Sequence, residues 1–413
     1  MSGLIGLAAF LALAWLCSEN RSAVRIGDAA RTLALQITVG ALALLTPVGT
    51  AVLGGMSRGV QSAIDYANEG IRFMFGPLAD PGEGGAGGVI LAFQVLPVII
   101  FIAALLSVFF HLGVMRVVIR VIGGAIGKLT GAGKLESTTA AANIFVGMAE
   151  APLAILPYLP RLSRAQLFCV MSLGLASVAG SVLAAYAALG VRTDLLLTAA
   201  VMAAPGGLLM ARILVPETGE PLDIDTPDPD GDALSTRAAS VIDALTRGAL
   251  TGLQIMLSVI AVLITFVALI ALINGLLGGI GGWFGAPDLT LQQIAGVVFA
   301  PFAWLIGVPW SEAAAAGRFL GEKVIVNEFI AYASFVPQAD TFSERGQIAI
   351  TVALCGFANL TGLAVLIAAM TAAVPERRAD VSKLGLKAVL AGTLSNFTSA
   401  AIVSVLLAVQ AML

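Results

Sequence analysis

Two glutamates, three asparagines and a serine stand inside stretches otherwise built for lipid. ANIFVGMAEAPLAILPYL, residues 142–159, carries Asn143 and Glu150 with Gly147 between them and Pro152 and Pro157 after. VIVNEFIAYASF, residues 324–335, carries Asn327 and Glu328, while Ser177 lies in LASVAGSVL near Gly180, and Asn359 in CGFANLTG. An acid at the centre of a span costs about 2.5–3.5 kcal/mol on insertion scales. A polar group left unpaired in hydrocarbon costs several kcal/mol more. These groups must therefore bind each other or a polar ligand. An isolated asparagine or serine is commonly an adhesive between helices, whereas Glu150 and Glu328 point to function. Glu136 and Glu312 sit where helix caps could equally use them, and Gly147 and Gly180 also suit close packing. Two carboxylates with amides and hydroxyls match a neutral, hydroxyl-rich solute, because a carboxylate accepts from a diol and an amide both donates and accepts. No arginine or lysine is read at this depth, which argues against a strongly anionic substrate. A small hard cation would be satisfied by asparagine and serine oxygens together with carbonyls of unwound backbone.

The elements that must hold these residues are membrane helices. The 413 residues are 59% hydrophobic and 11% charged, with a mean hydropathy of +0.98; a soluble domain carries about 25% charged residues. A net charge of -3 gives no surface for nucleic acid. Cys17, Cys169 and Cys355 all fall in apolar segments and read as reduced packing residues. His111 is the single histidine, so neither a histidine metal site nor a nucleophile–base pair is available, and the chain is not read as an enzyme. No cofactor is expected.

Apolar runs predict eight spans, at 3–19, 30–53, 88–112, 165–190, 194–213, 250–277, 345–372 and 384–412. Residues 56–80 form an amphipathic helix at the outer interface, and 113–130, with Arg116, Arg120 and Lys128, one at the inner interface. PGEGGAGG (81–88) and the acidic PETGEPLDIDTPDPDGD (216–232) are linkers, the second leading to a polar helix at 234–247. Arginines 21, 25 and 31 follow the first apolar run, unlike a signal peptide, whose charge comes first. With the clusters Arg116/Arg120/Lys128, Arg161/Arg164 and Arg377/Arg378/Lys383, they lie on one side if the first span runs inward. Both termini then face outward. Residues 135–164 and 288–325 are interrupted midway, the latter at Gly307, Pro309, Ser311 and Glu312, and read as re-entrant hairpins. Hairpin, span, span occurs twice, the pattern of a transporter built from internal repeats with its site where they meet.

ANIFVGMAEAPL (142–153), GLASVAGSVLAAYAALG (174–190), LGEKVIVNEFIAY (320–332) and CGFANLTG (355–362) together resemble the concentrative nucleoside transporters, in order along nearly the whole chain. The resemblance implies an all-α, elevator-type transporter with inverted repeats. It also implies a homotrimer in lipid, and nucleoside entry driven by sodium or protons across a bacterial inner membrane, both termini periplasmic. It divides the chain into scaffold spans at 1–130 and 216–287 and a transport part at 131–215 and 288–413. It places Glu150 on the first hairpin's substrate-facing acid, Glu328 on the acid that holds the ribose hydroxyls, Asn359 on its amide partner, Phe357 in the pocket and Val182 at the base. Asn143 and Ser177, with the carbonyls of Val146 and Val178, fall on the sodium site.

Departures from the family pattern matter. Met148-Ala149-Glu150 stands where a glutamine and a hydroxyl residue commonly precede the acid, which removes two polar base contacts. Gly147-Met148 goes with purine preference in the family, and a thioether offers an apolar wall. Ser181 is not the residue expected of a purine-preferring member. Gly362 stands where a serine commonly holds the ribose, with Thr361 as the available substitute. The reading is a sodium-coupled nucleoside importer leaning to purines. Its alternatives are a proton-coupled importer using Glu150 or Glu328, a carrier of a modified nucleoside or other hydroxylated solute, and a structural or gating protein without turnover.

Overall fold

The computed structural model describes residues 2–79, 89–148, 150–219, 221–222, 238–283 and 285–410, and among these no strand occurs. The helices are α1 (Ser2–Leu16), α2 (Ile26–Leu45), α3 (Pro47–Phe75), the single turn α4 (Leu91–Gln94), α5 (Val98–His111) and α6 (Val114–Thr130). They continue with α7 (Lys134–Ala142), α8 (Arg164–Ala176), α9 (Gly180–Ala188), α10 (Thr193–Leu214), α11 (Val241–Gly282) and α12 (Leu291–Leu305). The last are α13 (Trp310–Ile325), α14 (Glu328–Phe335), α15 (Glu344–Leu354), α16 (Leu360–Ala373) and α17 (Arg378–Gln410). Two 3-10 segments, Ala151–Arg161 and Val336–Thr341, connect α7 to α8 and α14 to α15.

One order of elements occurs twice: helix, break, short helical arm, helix, break, helix, long helix. It runs from α7 to α10 and again from α13 to α17. The sequences agree at the second break of each unit, GLASVAG at 174–180 against GFANLTG at 356–362. They agree in bonding at the first: Val146 N donates to Ala142 O (3.0 Å) and Val326 N to Glu322 O (2.9 Å). The units enter from opposite sides. Arg164, at the start of α8, pairs with Glu19 beyond the C-terminal end of α1 (2.9 Å), while Arg345, at the start of α15, donates to Ser2 Oγ at its other end (3.3 Å). The repeats are inverted.

Among the described residues six helical stretches are long and apolar enough to cross a bilayer, and the bent pair α12–α13 makes a seventh if it is one span. The structure corrects several expected boundaries. The span placed at 30–53 ends at Leu45, because Thr46 Oγ1 caps Gly49 N (3.0 Å) and Pro47 opens α3; the amphipathic helix therefore starts nine residues before 56. The spans at 165–190 and 345–372 are each cut in two, at 177–179 and 355–359. The polar helix and the long span after the acidic linker fuse into α11; residues 223–237 and 80–88 lie outside the described set. The second arm of the first hairpin is 3-10 rather than α, with Pro157 and Pro160 inside it, since proline removes a donor and crowds the preceding turn.

The hairpin at 288–325 bends by 116° across 306–309, but its tip does not reach the polar centre. Gly307, with φ of 112°, packs on Ser404, whose hydroxyl donates to Ile306 O (2.7 Å). The break that carries Glu328 comes one helix later, at 326–327. α1 and α2 lie on α10, α12 and α17, with Gly3 against Ala401 and Gly40 against Met202, whereas α5 packs along α11 through Gly248 and Gly252.

Candidate functional site

Four interruptions of helix converge on one buried region. Gly180 N donates to Phe145 O (3.0 Å), joining the first hairpin tip to the break in α8–α9. Phe357 N donates to Ser177 O (3.1 Å), joining that break to the one in α15–α16. Each break frees backbone groups that a continuous helix would consume, and such backbone is tolerated at membrane depth only where protein or a wet cavity covers it.

Glu328 is the best-held acid. It opens α14, where Asn327 Oδ1 accepts from Ile330 N (2.9 Å) as the cap. Tyr186 OH donates to Glu328 Oε1 (2.7 Å) and Asn359 Nδ2 to Oε2 (2.6 Å). Asn359 in turn caps α16, its Oδ1 accepting from Gly362 N (2.6 Å), so its amide is fixed from both ends. Tyr186 was not singled out by sequence reading, although it sits one helical turn past Val182 on α9. Its ring lies 4.8 Å from that of Tyr332, whose hydroxyl donates to Thr351 O (2.7 Å).

Around the first tip the bonds are looser. Ser177 Oγ lies 3.4 Å from Asn143 Oδ1 and also 3.4 Å from Gly174 O, while Asn143 Nδ2 donates to Thr139 O (3.0 Å). Asn143 and Ser177 are both buried. The Val178 carbonyl accepts no hydrogen bond from the described residues. Glu150 is half-buried beside Gly147, where a Cβ would stand 2.6 Å from Glu150 Oε2 and 3.2 Å from Ala179 Cβ. Only glycine lets that carboxylate lie flat on the tip. Met148 is buried with its Cβ against Gly174, Val182 is buried on α9, and Phe357 is half-buried in the break. Ala149 lies outside the described residues.

Gly362 has a steric reason. A Cβ there would run into Phe357 O, so the serine expected at this place does not fit the backbone as it stands. Thr361 Oγ1, in the same first turn of α16, is buried without a partner among the described residues. The two undecided acids resolve as caps: Glu136 accepts from Gly133 N (3.3 Å), and Glu312 accepts from Ser343 N (3.3 Å) and Ser343 Oγ (3.1 Å). The expectation of no cation at this depth was wrong, since Lys323 is fully buried among the breaks. Its place five residues before Glu328, between Glu322 and the apolar Val324, Ile325 and Val326, was the signal. Among the described residues no cluster of metal-ligating side chains occurs.

The chain matches the sequence profiles of the "Na+ dependent nucleoside transporter" C-terminus over 195–404 and N-terminus over 5–78, and of the "nucleoside recognition" gate over 92–192. It is 42% identical to the nucleoside permease NupC of Helicobacter pylori, over 98% of both chains. Against human solute carrier family 28 member 3 it is 33% identical, covering 97% of this chain and 59% of that one. Among solved structures, CNTnw in an inward-facing substrate-bound state superposes with a TM-score of 0.93 at 46% identity, covering 99% of this chain and 98% of that one. A CNTnw variant in an outward-facing state gives 0.92 at the same identity and coverage. With the two interrupted repeats and the acid held at their meeting point, this makes the chain a member of the sodium-dependent (concentrative) nucleoside transporter family, a nucleoside transporter and not an enzyme.

Proposed function

We propose that the protein is a sodium-coupled nucleoside symporter of a bacterial inner membrane, trimeric, with both termini on the outer side. The observation that carries this is the Glu328 carboxylate, held by Tyr186 and Asn359 at the junction of the breaks. Each oxygen keeps a lone pair with which to accept a ribose hydroxyl. Thr361, whose hydroxyl has no partner among the described residues, takes the part of the missing serine. Phe357 and Val182 form apolar walls for the base, with Gly147 and Met148 over it and Glu150 as the second acid. Sodium is favoured over protons by the oxygen set of Asn143 and Ser177 with the carbonyls of Val146 and Val178, which suits a hard cation, and by the description of the family. The moving part comprises 131–215 and 288–413, and α1 and α2 travel with it because they pack on α10 and α17. α5 and α11 form the stationary part.

The test is uptake of labelled adenosine and uridine into proteoliposomes under an inward sodium or an inward proton gradient. Sodium-driven uptake with adenosine ahead of uridine is expected, and Met148→Gln should move the preference toward uridine. Uptake that follows only the proton gradient would replace the coupling ion; uptake under neither would remove the substrate class.

A further inference from the structure

Lys323 has no part in the site as described so far. Its ammonium, wholly enclosed, donates to Ala353 O (3.0 Å) and Asn396 Oδ1 (2.6 Å) and stands 5.8 Å from the centre of the Phe397 ring. Among the described residues no carboxylate forms an ion pair with it. The Asn396 amide donates onward to Ala176 O (2.7 Å) and Cys355 O (2.9 Å), which lie at the ends of α8 and α15. Two glycines make room for this arrangement. A Cβ on Gly356 would collide with the Asn396 side chain, and one on Gly392, a turn earlier on α17, would lie 3.0 Å from Leu175 C and 3.1 Å from Ala176 N. α17 thus crosses both broken helices at their breaks, and Lys323 and Asn396 together gather the carbonyl ends of both.

Helix C-termini carry partial negative charge, and the carbonyl ends of half-helices at membrane depth attract cations. The register of the repeats says which cation belongs where. Val146 and Val326 make the last helical bonds before their breaks, to Ala142 O and Glu322 O. In that register Lys323 stands where Asn143 stands in the first repeat. We propose that Lys323 is a tethered cation, the second repeat's counterpart of the sodium site, and that it acts as a positioning residue. By holding Ala353 O, and Cys355 O through Asn396, it fixes the end of α15, from which the chain runs directly to Phe357 and Asn359. The equivalence to a sodium site rests on the proposed function; the positioning role rests on the hydrogen bonds alone.

Lys323→Met removes the charge and keeps the bulk; Lys323→Ala removes both and leaves a void. Each full-length variant is purified, and adenosine or uridine binding is read as a concentration-dependent rise in melting temperature. Binding is expected to weaken by about tenfold or more in both, as for loss of charge-assisted hydrogen bonds. Methylammonium should restore Lys323→Ala but not Lys323→Met, and tetramethylammonium, too large for the void, should restore neither. Wild-type affinity in Lys323→Met, or no effect of methylammonium on Lys323→Ala, would overturn the proposal. A Lys323→Ala protein that folds only with methylammonium supports it, and one that stays unfolded with it counts against. Asn143→Ala is measured alongside. If wild type and Asn143→Ala are alike indifferent to sodium, the ion site fails while the methylammonium result still decides Lys323. If neither nucleoside stabilises the wild type, the substrate reading fails, and the methylammonium dependence of the Lys323→Ala melting temperature decides.

Discussion

The first break and the second are built from the same pattern and finished differently. At the second, Glu328 is gripped by Tyr186 and Asn359 at 2.7 and 2.6 Å, and a lysine donates to the Ala353 carbonyl at 3.0 Å and to Asn396 Oδ1 at 2.6 Å. At the first, the Asn143 and Ser177 oxygens stand 3.4 Å apart, the Val178 carbonyl is unused by the described residues, and Glu150 lies over a glycine without a donor side chain. Saturated polar networks in a low-dielectric interior are rigid, and partly satisfied ones are costly until something fills them. Polar groups at the second break are therefore saturated by partners among the described residues, and those at the first are not.

The largest effect should come from the organised side. Glu328→Gln keeps the shape but sets an amide nitrogen against one of two donors, and uptake should fall by about 100-fold or more; uptake near wild type would remove the carboxylate from the ribose role. On the open side, Asn143→Ala should raise the sodium concentration for half-maximal uptake by about tenfold, with nucleoside affinity at saturating sodium little changed. An unaltered sodium response would erase the contrast between the breaks. Tyr186→Phe removes one neutral donor to Glu328, for which a fall in nucleoside affinity of about tenfold is expected, read by competition binding. Equal affinity would mean that Asn359 alone orients the acid.

The smallest effect concerns neither break but the surface tie that joins the end of α1 to the N-terminal parts of α8 and α17. The Arg164 hydrogen bond, with Lys387 beside it, holds the Glu19 carboxyl below its usual range. Its contribution is therefore complete above the ordinary carboxylate value and is lost as pH falls through the lowered one. The pair is partly exposed, so Glu19→Gln should cost less than about 1 kcal/mol, with the melting temperatures of variant and wild type converging at acid pH. A cost that persists there would assign the loss to packing.

Glu150, Glu328, Asn143, Ser177 and Asn359 were legible because a polar residue in an apolar run must be explained whatever the fold. Tyr186 and Asn396 were not, since tyrosine is ordinary in a helix and Asn396 lies in α17 among serines and threonines with no mark of its own. The 306–309 interruption misled in the opposite way: glycine and proline announce a bend but not which bend meets the site. Two breaks, at 177–179 and 355–359, went unread because the apolar run continues through them and hydropathy does not register backbone conformation.

The sequence by itself determined that the chain crosses the membrane many times, that it is built from related halves, and which acids and amides stand in apolar runs and so need a polar partner. Those follow from composition and local pattern, through the cost of polar groups in lipid. Only the tertiary structure decided that Glu328 is held by a tyrosine from the other repeat 142 residues away, that Gly362 leaves no room for a serine, and that Lys323 finds its partners on α15 and α17. Hydrogen bonds and steric room depend on where distant backbones come together, and that geometry is set by packing rather than by any one segment.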